Sequence, residues 1–488
     1  MDDKKIIIED YSKDQTKYLR EVLKDATGKI EFPKEKIIVK GEKSPEEWKN
    51  KVSGRNDFGV LRINTQKLDI IGGHIYVPEP ATSGENSEPR NIRDRSVRPT
   101  WNLDGSKNVN FYGTITESSN TVENNTTDKV GQDVSRFEDN WEGEHSWNIN
   151  NSENISLYDC ISKFSYADGA YIRNSNNIYF ENFKTFYNGR QSVGISSGSN
   201  IHFKNFIGVR SRRGFFDMEP YSDNQIIEDV WIEGGYADLP YLQILPMGGK
   251  GTIKNILITG LNVRNQGATT TLGGDRRGGN ARESIIFSGL TRIGSTGARH
   301  GVYRCTDNDN FLVEDTFETV DDLGVVAVFE NSKGVTIRNS GFPRGKYIIL
   351  LGDTTPEDVT IYDVKQDLVF LKGNEEIPVI QSNPSIEEKN RLPFSVSELT
   401  QKRYDSLGRV YIDPEAPVVV EPDPIPEPTP EEPPVVVDPK PTPTPDKPIE
   451  TDEEALDMAQ KILDFLKKKS SLIVIGVIAV IILLIILQ

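Results

Sequence analysis

One apolar residue recurs down the middle of this chain at a spacing that few folds can absorb. Ile155, Ile178, Ile201, Ile227, Ile253 and Ile285 are separated by 23, 23, 26, 26 and 32 residues. Ten residues before each stands a polar side chain: His145, Asp168, Gln191, Asp217, Gln243 and Asp275. Ile226 or Ile286 serves equally well in the apolar column. A period in the twenties marks a solenoid, in which a repeat can bury its apolar face only against its neighbours. The isoleucines are expected to form a buried internal ladder and the polar set an exposed external one.

The repeats share one theme between residues 66 and 412: a polar, Asn or Gly turn, then a short alternating apolar strand. Asn154-Ile-Ser-Leu, Asn177-Ile-Tyr-Phe and Asn200-Ile-His-Phe are examples. Alternation puts Ile178 and Phe180, or Ile201 and Phe203, on one face. The preceding Asn suits a turn that needs an unusual φ. Helical periodicity is absent from this stretch, which excludes an all-helical solenoid. Two or three short strands per repeat describe an all-β parallel β-helix with coils about 4.8 Å apart.

The rest of the chain organises around that body. Residues 1–35 read as an N-terminal cap, with Leu19, Val22, Leu23 and Ala26 on one face of a helix over 14–26. Residues 36–375 form the β-helix, interrupted by polar or Gly-rich insertions within 73–108, 114–146 and 267–282. Residues 376–412 are an irregular C-terminal cap. Fourteen of the 38 residues in 413–450 are proline, a semi-rigid spacer about 118 Å long if fully extended. Thr451 and Glu454 make a capping box opening an amphipathic juxtamembrane helix over 451–470. Within 471–488, residues 472–487 carry no charged or strongly polar group. As a helix they span about 24 Å, short of a hydrocarbon core, but the lysines at 467–469 can snorkel. This reads as a C-terminal transmembrane anchor. No export signal is visible, because the N-terminal ten residues hold only three consecutive apolar positions. The lysines on the solenoid side of the anchor then place the solenoid on the cytoplasmic face.

Charge and cysteines narrow the partners. The net charge is −17, and 413–450 alone contributes −8 from ten acidic residues and two lysines. Such a chain is a poor ligand for nucleic acid, which needs clustered positive charge. Cys160 and Cys305 have neither disulfide density nor metal-ligand spacing and are expected in the core.

The densest polar constellation is Asn188-Gly-Arg-Gln191 with Phe216-Asp-Met-Glu-Pro220. Asp217 and Glu219 are two residues apart on one strand, hence on one side and roughly 7 Å apart. Asp168 would lie two coils from Asp217, about 10 Å, with Gln191 between. These separations suit the acid and base of an inverting glycosidase, so Asp217, Glu219 and Asp168 are the candidate catalytic residues. Arg190, Gln191, His145, Gln243, Arg213 and Asp275 are the candidate substrate contacts. Arg210, Arg212, Arg213, Arg276 and Arg277 in nearby turns point to an anionic substrate. Three readings stay open: a structural polar ladder, glycan contact without cleavage, and catalysis. No cofactor is implied, although Asp168, Asp217 and Glu219 offer oxygen ligands for Ca²⁺.

These residues resemble the right-handed parallel β-helix proteins of the pectate-lyase-like superfamily, tailspikes among them. Asp14-Gln-Thr and Gly28-Lys-Ile-Glu-Phe-Pro33 are similar to the opening segment common in that group, and Asn188–Gln191 with Asp217–Pro220 to a pattern of bacterial and phage members. The resemblance covers about residues 10–375. The polygalacturonase signatures Asn-Thr-Asp, Gly-His-Gly and Arg-Ile-Lys are missing, as is the pectate lyase arginine motif, so no catalytic set carries over. With the spacer and anchor, the resemblance implies a membrane-anchored spike that binds, and in one version cleaves, surface polysaccharide. A membrane-containing virus would use it for host recognition, with a homotrimer and capsid proteins as possible partners. A membrane-anchored hydrolase or lyase and a purely structural surface protein are the alternatives.

Overall fold

The structure is a computed structural model, and it describes residues 3–40, 60–78, 99–118, 145–165, 167–211, 214–239, 243–246, 249–265, 271–273, 282–293, 302–319 and 324–408. The chain divides into Met1–Ala416 and Pro417–Gln488. All described residues belong to the first unit. The spacer, the juxtamembrane helix and the anchor lie outside the described residues. Among the described residues no helix is long and apolar enough to cross a membrane.

The first unit is an all-β parallel solenoid. Its strands form one sheet of 20 and one of 13, and successive coils pair in parallel. The larger sheet supplies two faces, which long strands such as Gly198–Val209 and Ile226–Leu239 join around a bend. Asn205 and Gly234 sit at that bend with φ of 53° and 67°. The smaller sheet is the third face.

Asparagine and aspartate make the corners. Asn108, Asn154, Asn177 and Asn200 stand at equivalent turns with φ between 51° and 56°. That left-handed conformation is one short polar side chains tolerate. Each amide donates to the previous coil: Asn154 to Asn108 at 2.9 Å, Asn177 to Asn154 at 3.0 Å, Asn200 to Asn177 at 2.6 Å. The turn role expected of these residues is therefore observed.

The interior ladder differs in detail from the isoleucine column. Ile155, Ile178 and Ile201 do pair in register, but Ile201 continues to Val230, then Ile256 and Ile285. Ile227 and Ile253 belong to another column, that of Ser175 and Gly198. The slip arises because the coil after Ile201 is longer, adding a loop at 219–225 before the strand resumes. All six isoleucines are nonetheless buried. Aromatic rings fill the same core, Phe180 stacking on Phe203 at 4.6 Å and Phe203 meeting Phe216 edge-on at 4.8 Å. Cys160 and Cys305 are buried free thiols, as expected of core residues.

Both ends of the solenoid are covered. Helix α1 (Thr16–Leu23) turns Leu19 and Leu23 into the core, and Arg20 Nε donates to the Val60 carbonyl at 2.8 Å. At the other end Val369–Lys372 pairs with Glu375–Pro378, the antiparallel partnership among the described strands. Residues 379–408 then run back along the outer wall. They contain α2 (Ile386–Asn390) and α3 (Glu398–Asp405). This strap covers a second apolar cluster of Leu257, Ile286, Leu312 and Tyr404, joined by Leu392, Phe394 and Val396.

Candidate functional site

The polar residues converge at the corner where the chain enters the 13-stranded sheet. Backbone bonds run from Thr100 N–H to the His145 carbonyl, from Ser146 to Asp168 and from Gly169 to Gln191. His145, Asp168 and Gln191 thus form one column. Its next members are Gly214, Gln243 and Thr271. Asp217 is not in that column. It lies three residues further along and pairs with Gly194. The column is also buried rather than exposed, with His145, Asp168 and Gln191 only 5%, 2% and 4% accessible. The Gln243 side chain, Arg212, Arg213, Asp275, Arg276 and Arg277 lie outside the described residues.

A hydrogen-bonded chain nevertheless links the column to Asp217. His145 Nδ1 is 3.2 Å from Asp168 Oδ2, and the Asp168 backbone N–H donates to that same nitrogen at 3.3 Å. The Gln191 backbone N–H donates to Asp168 Oδ1 at 2.9 Å. The Gln191 side chain donates from Nε2 to Asp217 Oδ2 at 2.9 Å. Burial alone would raise the Asp168 pKa. The Arg190 charge, contact with His145 and the Gln191 N–H outweigh it and hold the carboxyl below the usual carboxylate range. Arg190 is itself buried, beside Asp168. Asn188 is turned inward, where Oδ1 accepts from Ser162 and from the Ser165 backbone at 3.2 Å.

The outer face beside this corner has relief. Its outward columns follow from the strand register. One runs Asn102, Asn148, Tyr171, Gly194, Asp217. The other runs Asp104, Asn150, Arg173 and, one coil on, Ser196 and Glu219. The small residues Gly194 and Ser196 are therefore flanked by Tyr171 and Arg173 on one side and by Asp217 and Glu219 on the other. Tyr171 stacks on His145 at 4.7 Å with the rings 6° from parallel. It leans over Gly194, where a Cβ would meet Tyr171 Cδ2 at 3.0 Å and Asp168 Oδ2 at 2.9 Å. Arg173 Nε is buried with no hydrogen-bond partner among the described residues. Tyr221, just beyond Glu219, is 51% exposed, and its hydroxyl interacts with that of Tyr171. Asp217 and Glu219 are both half-buried.

The arrangement offers two carboxylates, a guanidinium and two phenols on one face of a rigid sheet. Asp168 is buried, with Oδ1 accepting from the Gln191 N–H and Oδ2 beside His145. Among the described residues no three His, Cys, Asp or Glu side chains are grouped to hold a metal. Sequence reasoning missed Arg173, Gly194 and Ser196. Their signal is positional, because each is named only by its partner one coil away.

The class this fold defines is the parallel β-helix. No protein-family model matches the chain, and no curated protein matches it in sequence. Among solved structures, a variant tailspike of Escherichia coli bacteriophage HK620 in complex with a pentasaccharide superposes with a TM-score of 0.50 at 12% identity, over 75% of this chain and 64% of that one. The A-module of an Azotobacter vinelandii mannuronan C-5 epimerase gives 0.42 at 13% identity, over 72% and 95%. A polygalacturonase from Erwinia carotovora gives 0.45 at 11%, over 78% and 95%. The chain thus spans about two thirds of the tailspike.

Proposed function

We propose that this protein binds a surface polysaccharide across the outer face of the 13-stranded sheet, and that it does so as a host-recognition spike tethered to a viral membrane. The observation that carries the binding reading is the convergence of Tyr171, Arg173, Asp217, Glu219 and the exposed Tyr221 around Gly194 and Ser196, which lie buried beneath them. Polar groups of both kinds face one strip about two coils, or roughly 10 Å, wide, the scale of a sugar residue. The tethering rests on the proline-rich spacer and the apolar run at 472–487. By the positive-inside rule the lysines at 467–469 support a cytoplasmic β-helix during assembly, the side that becomes capsid-facing on an internal viral membrane. Capsid proteins and two further copies of the chain are partners in this proposal.

In this reading Asp168 supports the site rather than touching the glycan, because it is buried. His145, Gln191 and Arg190 act with it. A second reading, hydrolysis or lyase cleavage, is favoured by one observation. Asp217 and Glu219 remain half-exposed on one side of an extended segment, near the separation an inverting pair needs.

A glycan array with the full chain tests binding. Binding should be lost in Arg173→Ala and Tyr171→Ala with the thermal midpoint little changed. Silence across bacterial and eukaryotic surface glycans defeats the proposal. Reducing-sugar release by the wild type and not by Asp217→Asn would establish the second reading.

A further inference from the structure

The asparagine ladder changes character at one coil. Asn108, Asn154, Asn177 and Asn200 hand hydrogen bonds from coil to coil, but the next turn residue is Asp229, with φ of 55°. A carboxylate cannot donate, so the amide chain stops there. Helix α3 supplies the missing donors. Ser397 Oγ and Thr400 Oγ1 both donate to Asp229 Oδ1, the latter at 3.1 Å. Arg403 Nη1 donates to the Asp229 carbonyl at 2.9 Å, and its Nη2 donates to Asn200 Oδ1. Arg403 also lies 5.7 Å above the Trp231 ring, whose other neighbour is His202 at 4.3 Å. One guanidinium therefore grips two successive coils.

Those two coils are the ones that carry the site. The coil of Asn200 includes Gln191–Ile195, and the coil of Asp229 includes Gly214–Met218. Between the two faces the first coil turns within 196–197, whereas the second makes the longer excursion 219–225 with Glu219 and Tyr221. Pairing of the two coils ends at that corner with the Glu219 N–H donating to the Ile195 carbonyl at 2.9 Å, and it resumes at Gly198 with Ile227. The excursion beside Glu219 is therefore held by that backbone bond on one side and, on the other, by the strand pair that α3 pins at Asn200 and Asp229.

We propose that α3 is a staple for the glycan site, and that Arg403 is a positioning residue acting through Asn200 and Asp229 on Gln191, Asp217 and Glu219. The part of this that concerns ligand affinity rests on the glycan-binding reading. The part that concerns geometry does not.

Amide hydrogen exchange of the full-length protein separates them. Arg403→Ala should speed exchange over 191–195 and 214–219 by about tenfold, Arg403→Lys by less, and Arg391→Ala, which removes an exposed ion pair with Glu387, not at all. Glycan affinity should fall in the same order. Thr400→Val, which removes one donor and keeps shape, should give an intermediate effect if Arg403→Ala proves unstable. Free exchange of α3 together with unchanged exchange at 191–195 and 214–219 would overturn the staple. If no variant and no wild type binds any glycan while exchange follows the predicted order, the staple stands and the glycan reading fails.

Discussion

Gln191 holds Asp217 by its side chain and Asp168 by its backbone, each at 2.9 Å. A single residue thus restrains carboxylates on the coils before and after its own. Gln191→Ala leaves the Asp217 carboxylate without that donor and should cost about 1–3 kcal/mol of stability. Gln191→Glu keeps the volume but sets a buried carboxylate against Asp217. Its penalty should be larger at pH 7 than at pH 5, where protonation relieves the repulsion. Thermal denaturation of both variants across that range measures it.

Gly194 has little room for added bulk. A methyl group there meets Tyr171 and the Asp168 carboxylate at about 3 Å. Gly194→Ala should push Tyr171 off its stack on His145 and cost about 1–3 kcal/mol as overpacking. Glycan binding should fall further than stability. Equal affinity in the variant and the wild type would remove Tyr171 from the site.

Asp168 predicts an acid limb. Its folded pKa lies below the ordinary value of 3.8, since Arg190, His145 and Gln191 outweigh burial. Its contribution is therefore complete above that value and is lost as pH falls through the folded one. Thermal stability should be insensitive to this group between pH 5 and 7 and decline below about pH 4, and Asp168→Asn should flatten that decline.

Glu318 predicts the opposite slope. It is fully buried, and burial raises its pKa to about 7 despite the Arg292 charge and a 2.9 Å hydrogen bond from Tyr303. A carboxyl raised on folding favours the folded state at low pH, and that advantage is lost between the unfolded value of 4.5 and about 7. Glu318→Gln should therefore gain stability relative to the wild type as pH rises from 5 to 8. A difference in melting temperature that does not vary with pH would contradict the assignment.

Ile178 tests the ladder itself. Its partners above and below are Ile155 and Ile201, and all three are buried. Ile178→Ala should cost about 2–5 kcal/mol, with faster exchange confined to the adjoining coils, as expected of a quasi-one-dimensional array.

The fold was legible because burial in a coiled solenoid leaves a simple trace: an apolar strand, then an asparagine at a left-handed corner. Asn154, Asn177 and Asn200 could be placed from sequence for that reason. The site was half legible. Asp168, Gln191, Arg190 and Asp217 do meet, but counting a constant offset put Asp217 in the wrong column. The offset fails because the coil containing Asp217 and Glu219 is longer than its predecessor, and extra residues go to a corner without disturbing either sheet. Gly194 and Arg173 were invisible for a related reason. A glycine beside a tyrosine carries meaning only once the register sets one coil against the next.

The terminal hairpin of Val369–Lys372 with Glu375–Pro378 has a consequence beyond covering the core. A parallel stack exposes, at its last coil, a strand edge ready to accept another coil from any chain. Here the last parallel strand is answered by one running the other way, whose proline at 378 offers no N–H. The edge of the 13-stranded sheet at this end therefore runs against the direction of the coils, which disfavours its continuation by a further parallel coil from another chain.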